Sequence, residues 1–236
     1  MKKIIKFLFK MLGLRLRHYE IPAYSKNINE LGATIVIDVG ANSGQFGNSL
    51  REHGYKGKIV SFEPTKAAYE KLLKTSSSDD SWIVHPRAAL GSEIGSIKIN
   101  VSGNNALSSS ILEMKSTHVE SAPNSIYISK ENADLITLDS VFDKYVENND
   151  VVFLKMDVQG YENQVLIGAK SCIKKIAGIK LELSLTSLYE GDKLYDFYFS
   201  KLEALGFEIF DLNPEHRHPT TGRLLQFDAI FIKNLN

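Results

Sequence analysis

Five short apolar runs, separated by stretches of helical period, constrain this chain more than any other feature. They are TIVIDV (34–39), KIVSFE (58–63), WIVHP (82–86), VVFLKMD (151–157) and GIKLELS (178–184). Their apolar residues are nearly continuous, the pattern of strands buried on both faces. Helices are predicted over 43–53, from Pro64 through Lys74, over 161–175 and over 191–205, the last ending at Gly206. Strand and helix in alternation build a parallel sheet covered on both sides, an α/β fold. The last two runs, FEIFDL (207–212) and FDAIFIK (227–233), have only residues 213–226 between them. That is too short for a crossover helix with its turns, so these two strands are predicted to pair antiparallel.

The middle of the chain is less regular. GSIKINVSG (95–103) alternates with period two and reads as an added edge strand. TSSSDDS (75–81) is a polar loop, and the serine-rich stretch 103–133 reads as a loop or lid. LITL (135–138) is a short strand, after which Asp139 is placed to cap a helix over 140–146.

A chain of 236 residues is long enough for one such domain with a large core. Its 28 basic and 28 acidic residues cancel, which argues against a nucleic-acid partner held by bulk charge. The single cysteine, Cys172, excludes an internal disulfide and a thiolate zinc site, and it fits a reducing, cytoplasmic setting. No apolar stretch reaches the length of a spanning helix. Residues 1–30 are set apart from a domain over 31–236 as a basic amphipathic segment. Ile4, Phe7, Leu8, Met11 and Leu12 share one helical face, and Lys3, Lys6 and Lys10 another. Two readings stand: a helix packed on the domain, or a peripheral contact with an anionic inner membrane face. Lys10 interrupts the apolar run and no small-x-small site follows, which argues against a signal peptide.

The candidate site begins at VIDVGANSGQFGNSL (36–50). Asp38 lies inside an apolar strand, where acids are disfavoured, just before Gly40 and Gly44. Ligands of such sheets bind beyond the carboxyl ends of the strands. Glu63 ends the second strand, where a carboxylate can accept two hydrogen bonds from a ribose diol. The G-x-G-x-x-G fingerprint of a nicotinamide dinucleotide is absent, and Asp38 is a poor neighbour for pyrophosphate. A cationic cofactor, S-adenosylmethionine, suits an acid beside the turn. Otherwise Asp38 caps the turn through backbone N–H groups.

DVGANSGQF with SFEP, then ITLDSV, LKMDVQGYENQVLIGA and LELS, resembles the FkbM family of S-adenosylmethionine-dependent methyltransferases. The resemblance runs over about residues 34–232. The glycine turn alone marks only the class I methyltransferase superfamily; the later stretches are more specific. The resemblance implies a Rossmann-like seven-stranded sheet of order 3-2-1-4-5-7-6 with the last strand antiparallel. It also implies O-methylation of hydroxyls on sugars, polyketides or similar metabolites. The cofactor set on this reading is Asp38, Gly40, Ala41, Asn42, Gly44, Glu63, Pro64 and Asp157. WIVHPRAALG lacks the acid that many class I enzymes place near adenine, which leaves backbone around Arg87 and Ala88 for that contact. The family commonly reads D-x-E-G-x-E where this chain has Asp157-Val158-Gln159-Gly160-Tyr161-Glu162. Gln159 cannot serve as an acid or base there.

Methyl transfer to a neutral hydroxyl needs alignment and a base. Asp157, at the end of the fourth strand, is the first candidate for base or substrate orienter. Glu182 is an acid inside an apolar strand, which needs a cleft or a partner. Glu162 serves either the site or the first turn of the next helix. Ser109, His216 and His218 are candidates for acceptor contact, and His85 reads as structural. Asp157 and Glu182 could hold Mg2+, but no metal is expected. The rival reading is a non-catalytic or membrane-associated binding protein that keeps the fold.

Overall fold

The structure, a computed structural model, describes residues 21–233. The amphipathic segment 1–17 lies outside them. Three parallel strands come first: β1 (Ile35–Val39), β2 (Lys58–Phe62) and β3 (Trp82–Val84). A small sheet follows, of β4 (Ala88–Leu90), β5 (Gly95–Ser102) and β6 (Tyr127–Ile136), in the order β4-β6-β5. The chain then returns to the main sheet with β7 (Val152–Met156), β8 (Ile176–Ser184), β9 (Phe207–Arg217) and β10 (Leu224–Lys233). The main sheet runs β3-β2-β1-β7-β8-β10-β9. Numbered within that sheet alone, this is the expected 3-2-1-4-5-7-6. β10 is antiparallel to both β8 and β9.

Its helices are α1 (Ala23–Glu30), α2 (Gln45–Glu52), α3 (Lys66–Ser76), α4 (Ser116–Ser121), α5 (Leu138–Tyr145), α6 (Glu162–Ile167) and α7 (Tyr195–Glu203). The two faces of the sheet bury separate clusters. Ile35, Ile37, Leu154 and Met156 pack on one side, Val36 and Phe153 on the other. Two-sided burial explains why the strand runs are so continuously apolar. Ile28 of α1 is fully buried in the second cluster, so residues 23–30 pack as part of the domain and not apart from it.

Other expectations are corrected locally. The strand at 95–103 joins the small sheet rather than the edge of the main one. Much of 103–133 is ordered as α4, a 3-10 turn at Pro123–Ser125 and the start of β6. Half of the residues of β6 are exposed and only two are buried, so its sequence is too polar to resemble the buried runs. The helix after β7 stops at Ile167 instead of reaching 175, and a separate 3-10 turn spans Cys172–Lys175. Gly168 passes so close to Gly91 that a Cβ there would lie 1.9 Å from its carbonyl oxygen. Thr137, not Asp139, caps α5, accepting from the Ser140 N–H at 3.2 Å. The Asp139 carboxylate instead accepts from the backbone of Ser171 and Cys172, tying α5 to the 3-10 turn.

Candidate active site

One polar row crosses the apolar sheet. Ser61, Asp38, Lys155 and Lys180 stand side by side on β2, β1, β7 and β8. Each is costly to bury alone. Lys155 Nζ lies 3.0 Å from Asp38 Oδ1 and donates to the Gly40 carbonyl at 2.8 Å. Asp38 is fully buried and lies off the wall of the cavity described below. The expectation that a cationic ligand explains Asp38 is therefore corrected: the cation is Lys155 on the neighbouring strand. Burial opposes the Lys155 ammonium, but Asp38 and Asp157 outweigh it and hold its pKa above the ordinary lysine value.

Beyond this row the strand ends open into a cavity of about 360 Å³. Gly40, Ala41 and Asn42 form its first edge, with Gly40 at φ 73°. A Cβ on Gly40 would lie 2.0 Å from the Asp157 carbonyl oxygen, so glycine lets the loops after β1 and β7 touch. Gly44 also has positive φ, 91°, but it turns toward Thr75, Leu72 and Trp82. It starts α2 and packs against protein, not against a ligand as expected.

Glu63 and Pro64 continue the wall, and Glu63 is 5% exposed. Its Oε2 accepts from the Asn42 N–H at 2.8 Å. Its Oε1 accepts from the Thr65 N–H at 2.8 Å and from the Thr65 hydroxyl. Burial pushes the carboxyl above its usual range although these bonds oppose it. Arg87 points off the wall and donates to the carbonyls of Pro64 and Asn132 at 2.7 and 2.9 Å. It clamps the loop after β2 to β6, while Ala88 does line the cavity. Phe62, Ala89, Leu90 and Ile99 complete an apolar side.

The opposite end is acidic. Asp157, Glu182, Glu215 and Asp228 line it together with Gln159 and Lys180. Lys180 Nζ is paired with Asp228 at 2.5 Å. Glu182 accepts from the amides of Gln159 and Gln226, each at 2.9 Å. Burial, then the charges of Asp157 and Asp228, raise its carboxyl well above the usual range. Burial and Asp228 likewise push Glu215 up to about 7.

Glu162 does not reach the cavity. It is 4% exposed and accepts from the N–H groups of Val158 and Gly160, so it shapes the loop that presents Asp157. Burial pushes its carboxyl up to about 7. Ser109 lies on the wall, its hydroxyl accepting from the Ser102 N–H at 3.0 Å. The two histidines expected at the acceptor do not reach it. His216 is in β9, its Nε2 3.0 Å from the Ser121 hydroxyl. His218 Nδ1 accepts from the N–H groups of Thr220 and Thr221 and closes the turn before β10. Strand β9 runs on through Arg217, farther than its apolar part indicates, and it carries Glu215 to the site instead. His85 stacks on Phe62, with ring centroids 4.8 Å apart. Among the described residues no group of three or more His, Cys, Asp or Glu is placed to hold a metal ion.

Sequence reasoning missed Lys155, Lys180, Glu215 and Asp228. Two signals were present: a lysine inside VVFLKMD and an aspartate inside FDAIFIK, both charges in buried runs.

The cavity fits S-adenosylmethionine. Glu63 stands at the end of β2 with Oε1 taken up by Thr65 and one acceptor site left on Oε2 for a ribose hydroxyl. The apolar side between Phe62 and Ile99 suits a flat base, and the acidic end suits a cationic sulfur.

No protein of curated function matches this sequence significantly. A protein from Pyrococcus horikoshii, provisionally named as an RNA methyltransferase, superposes with a TM-score of 0.50 at 11% identity, over 91% of this chain and 84% of that one. TrmK of M. capricolum, bound to S-adenosyl-homocysteine, gives a TM-score of 0.49 at 12% identity, over 93% of this chain and 70% of that one. The first likeness carries the fold and nothing finer. The Methyltransferase FkbM domain matches residues 38–209, from the middle of β1 into β9 and across the whole first edge of the cavity. The chain therefore belongs to the FkbM family of methyltransferases, with S-adenosylmethionine as its cofactor.

Proposed function

We propose that this methyltransferase acts on a hydroxyl of a sugar, a glycan or a small metabolite. One observation carries the reading: among the described residues the acidic end of the cavity has no uncompensated cation. Lys155 is paired with Asp38, and Lys180 with Asp228. Asp157, Glu182 and Glu215 therefore face an incoming acceptor as carboxyl groups able to hydrogen-bond with its O–H groups. A phosphodiester would meet like charge there; a neutral polyol would meet partners for its O–H groups.

S-adenosylmethionine, when bound, supplies a methyl group already activated on a positively charged sulfur. The protein then has to orient the hydroxyl, exclude water and take a proton. Asp157 is the residue for the proton. Its side chain is 38% exposed, with Oδ2 3.8 Å from Lys155 Nζ and Oδ1 accepting from Gln159 at 2.6 Å. Glu182 offers a second hydrogen-bonding group for the same ligand.

Two measurements test this. Titration calorimetry with S-adenosylmethionine should show binding by the wild type, weakened about 10- to 100-fold in Glu63→Ala by loss of a charged hydrogen-bond partner. Release of S-adenosyl-homocysteine should then be seen with a panel of neutral sugars and polyols and not with RNA. Methylation of RNA alone would overturn the assignment of the acceptor. The membrane-associated alternative concerns the basic segment 1–17, outside the described residues. Among the described residues no helix is long and apolar enough to cross a membrane.

A further inference from the structure

Gln159 makes more directed contacts than any neighbour in the loop after β7. Its amide Nε2 donates to Asp157 Oδ1 at 2.6 Å and to Glu182 Oε2 at 2.9 Å. Its amide oxygen accepts from the Tyr189 hydroxyl at 2.7 Å. Its backbone carbonyl accepts from the Ser110 hydroxyl, also at 2.7 Å. The residue is 9% exposed and lies in the left-handed region at φ 55°, where side chains other than glycine are uncommon. Such a conformation persists where its surroundings over-determine it.

The orientation of this amide follows from its partners. The NH2 faces two carboxylate oxygens that accept from it, Asp157 Oδ1 and Glu182 Oε2. The carbonyl end is then left for the one donor on the other side, Tyr189. The tyrosine is 1% exposed and packed against His118, with ring centroids 5.1 Å apart, so its hydroxyl cannot swing away. One amide group thus holds an oxygen from each of two strand ends, about 5 Å apart for an sp² nitrogen with bonds of this length.

We propose that Gln159 is a positioning residue: its amide, locked by the Tyr189 hydroxyl, holds Asp157 and Glu182 side by side as the paired acceptor face of the cavity. The use of that face for an acceptor hydroxyl rests on the function proposed above; the clamp itself does not. An acid at position 159 would set a third carboxylate between two others. Glutamine supplies the same length of side chain with two donors, so both neighbours can stay aimed into the cavity without sharing a proton. Ser110 ties the clamp to the segment after β5, and Tyr189 ties it to the loop after β8.

The test reads the carboxylates directly in the ligand-free protein, by 13C NMR titration of Asp157 and Glu182. In Gln159→Glu the midpoints of the pair should rise by about one pH unit, since two donated bonds are replaced by a like charge. In Tyr189→Phe only the lock is lost, and a smaller rise in the same direction is expected. The other charged groups around the pair are Lys155 on β7, Lys180 on β8, Glu215 on β9, Asp228 on β10 and the buried Glu162. All are unchanged in both variants. Midpoints that stay at wild-type values in Gln159→Glu, or in Tyr189→Phe should the first variant fail to fold, would overturn the clamp. A packing role alone would change stability and leave the midpoints in place. Failure of the wild type to bind S-adenosylmethionine would remove the proposed function and leave the titration result standing.

Discussion

Two lysine–aspartate pairs cross the same sheet and serve different ends. Lys155 and Asp38 join β7 to β1, with side-chain exposures of 6% and 0%. Lys180 and Asp228 join β8 to β10, at 9% each. The first pair is completed by backbone carbonyls and by Ser61, and Asp38 lies behind the cavity wall. The second stands on the wall, with Glu182 and Glu215 crowding it. Equal chemistry in unequal company gives a structural tie in one place and a surplus of acid in the other. Near-balanced burial fixes geometry; unbalanced burial leaves carboxyls whose protonation responds to what enters.

The sharpest way to break this comparison is Lys155→Met. Asp38 would be left buried with no cation, a loss of about 3–5 kcal/mol in a denaturant titration. The double variant Lys155→Met, Asp38→Asn removes both charges and should recover most of that loss, because an absent pair costs far less than half of one. Equal stability of the single variant and the wild type would mean that Asp38 is not held by Lys155.

Lys180→Met should cost less, about 2 kcal/mol, because Asp228 has another outlet. Glu215 beside it can share a proton, so the stranded charge is partly neutralised. Both losses should shrink as pH falls and the stranded carboxyl takes a proton, with the Lys155→Met loss staying the larger of the two. Identical losses for both lysines would erase the distinction between the pairs.

The same contrast marks what was legible in the sequence. Strand order and the antiparallel β10 could be read because apolar runs and short connections leave few topologies. The place of Glu63 and Asp157 on the cavity wall could be read because each follows a strand on the side where the strand ends open. Asp38 was visible as an anomaly, but its partner was not. Lys155 is far away in the chain, and only the register of β1 against β7 brings them together. His216 and His218 misled because the apolar part of β9 stops short of the full strand, and a strand that outruns its core looks like loop. Gln159 was discounted for lacking a charge, although its value lies in donating to two charges at once.

The smallest expected effect concerns Glu215. Its carboxyl is pushed up to about 7 in the folded protein, against an ordinary value of 4.5. A raised acid binds its proton more tightly in the folded state than in the unfolded one. Its contribution to stability is therefore fully present below the unfolded value and is lost as pH rises through about 7. Between those limits stability should fall with rising pH. Glu215→Gln removes this group and keeps its size, so the slope of stability against pH between 5 and 7 should flatten by less than one proton equivalent. Glu215 reaches the cavity from an exposed stretch of β9, and solvent screening keeps the change small. An unchanged slope would place Glu215 outside the acidic set and make the Lys180–Asp228 pair as self-contained as the one behind it.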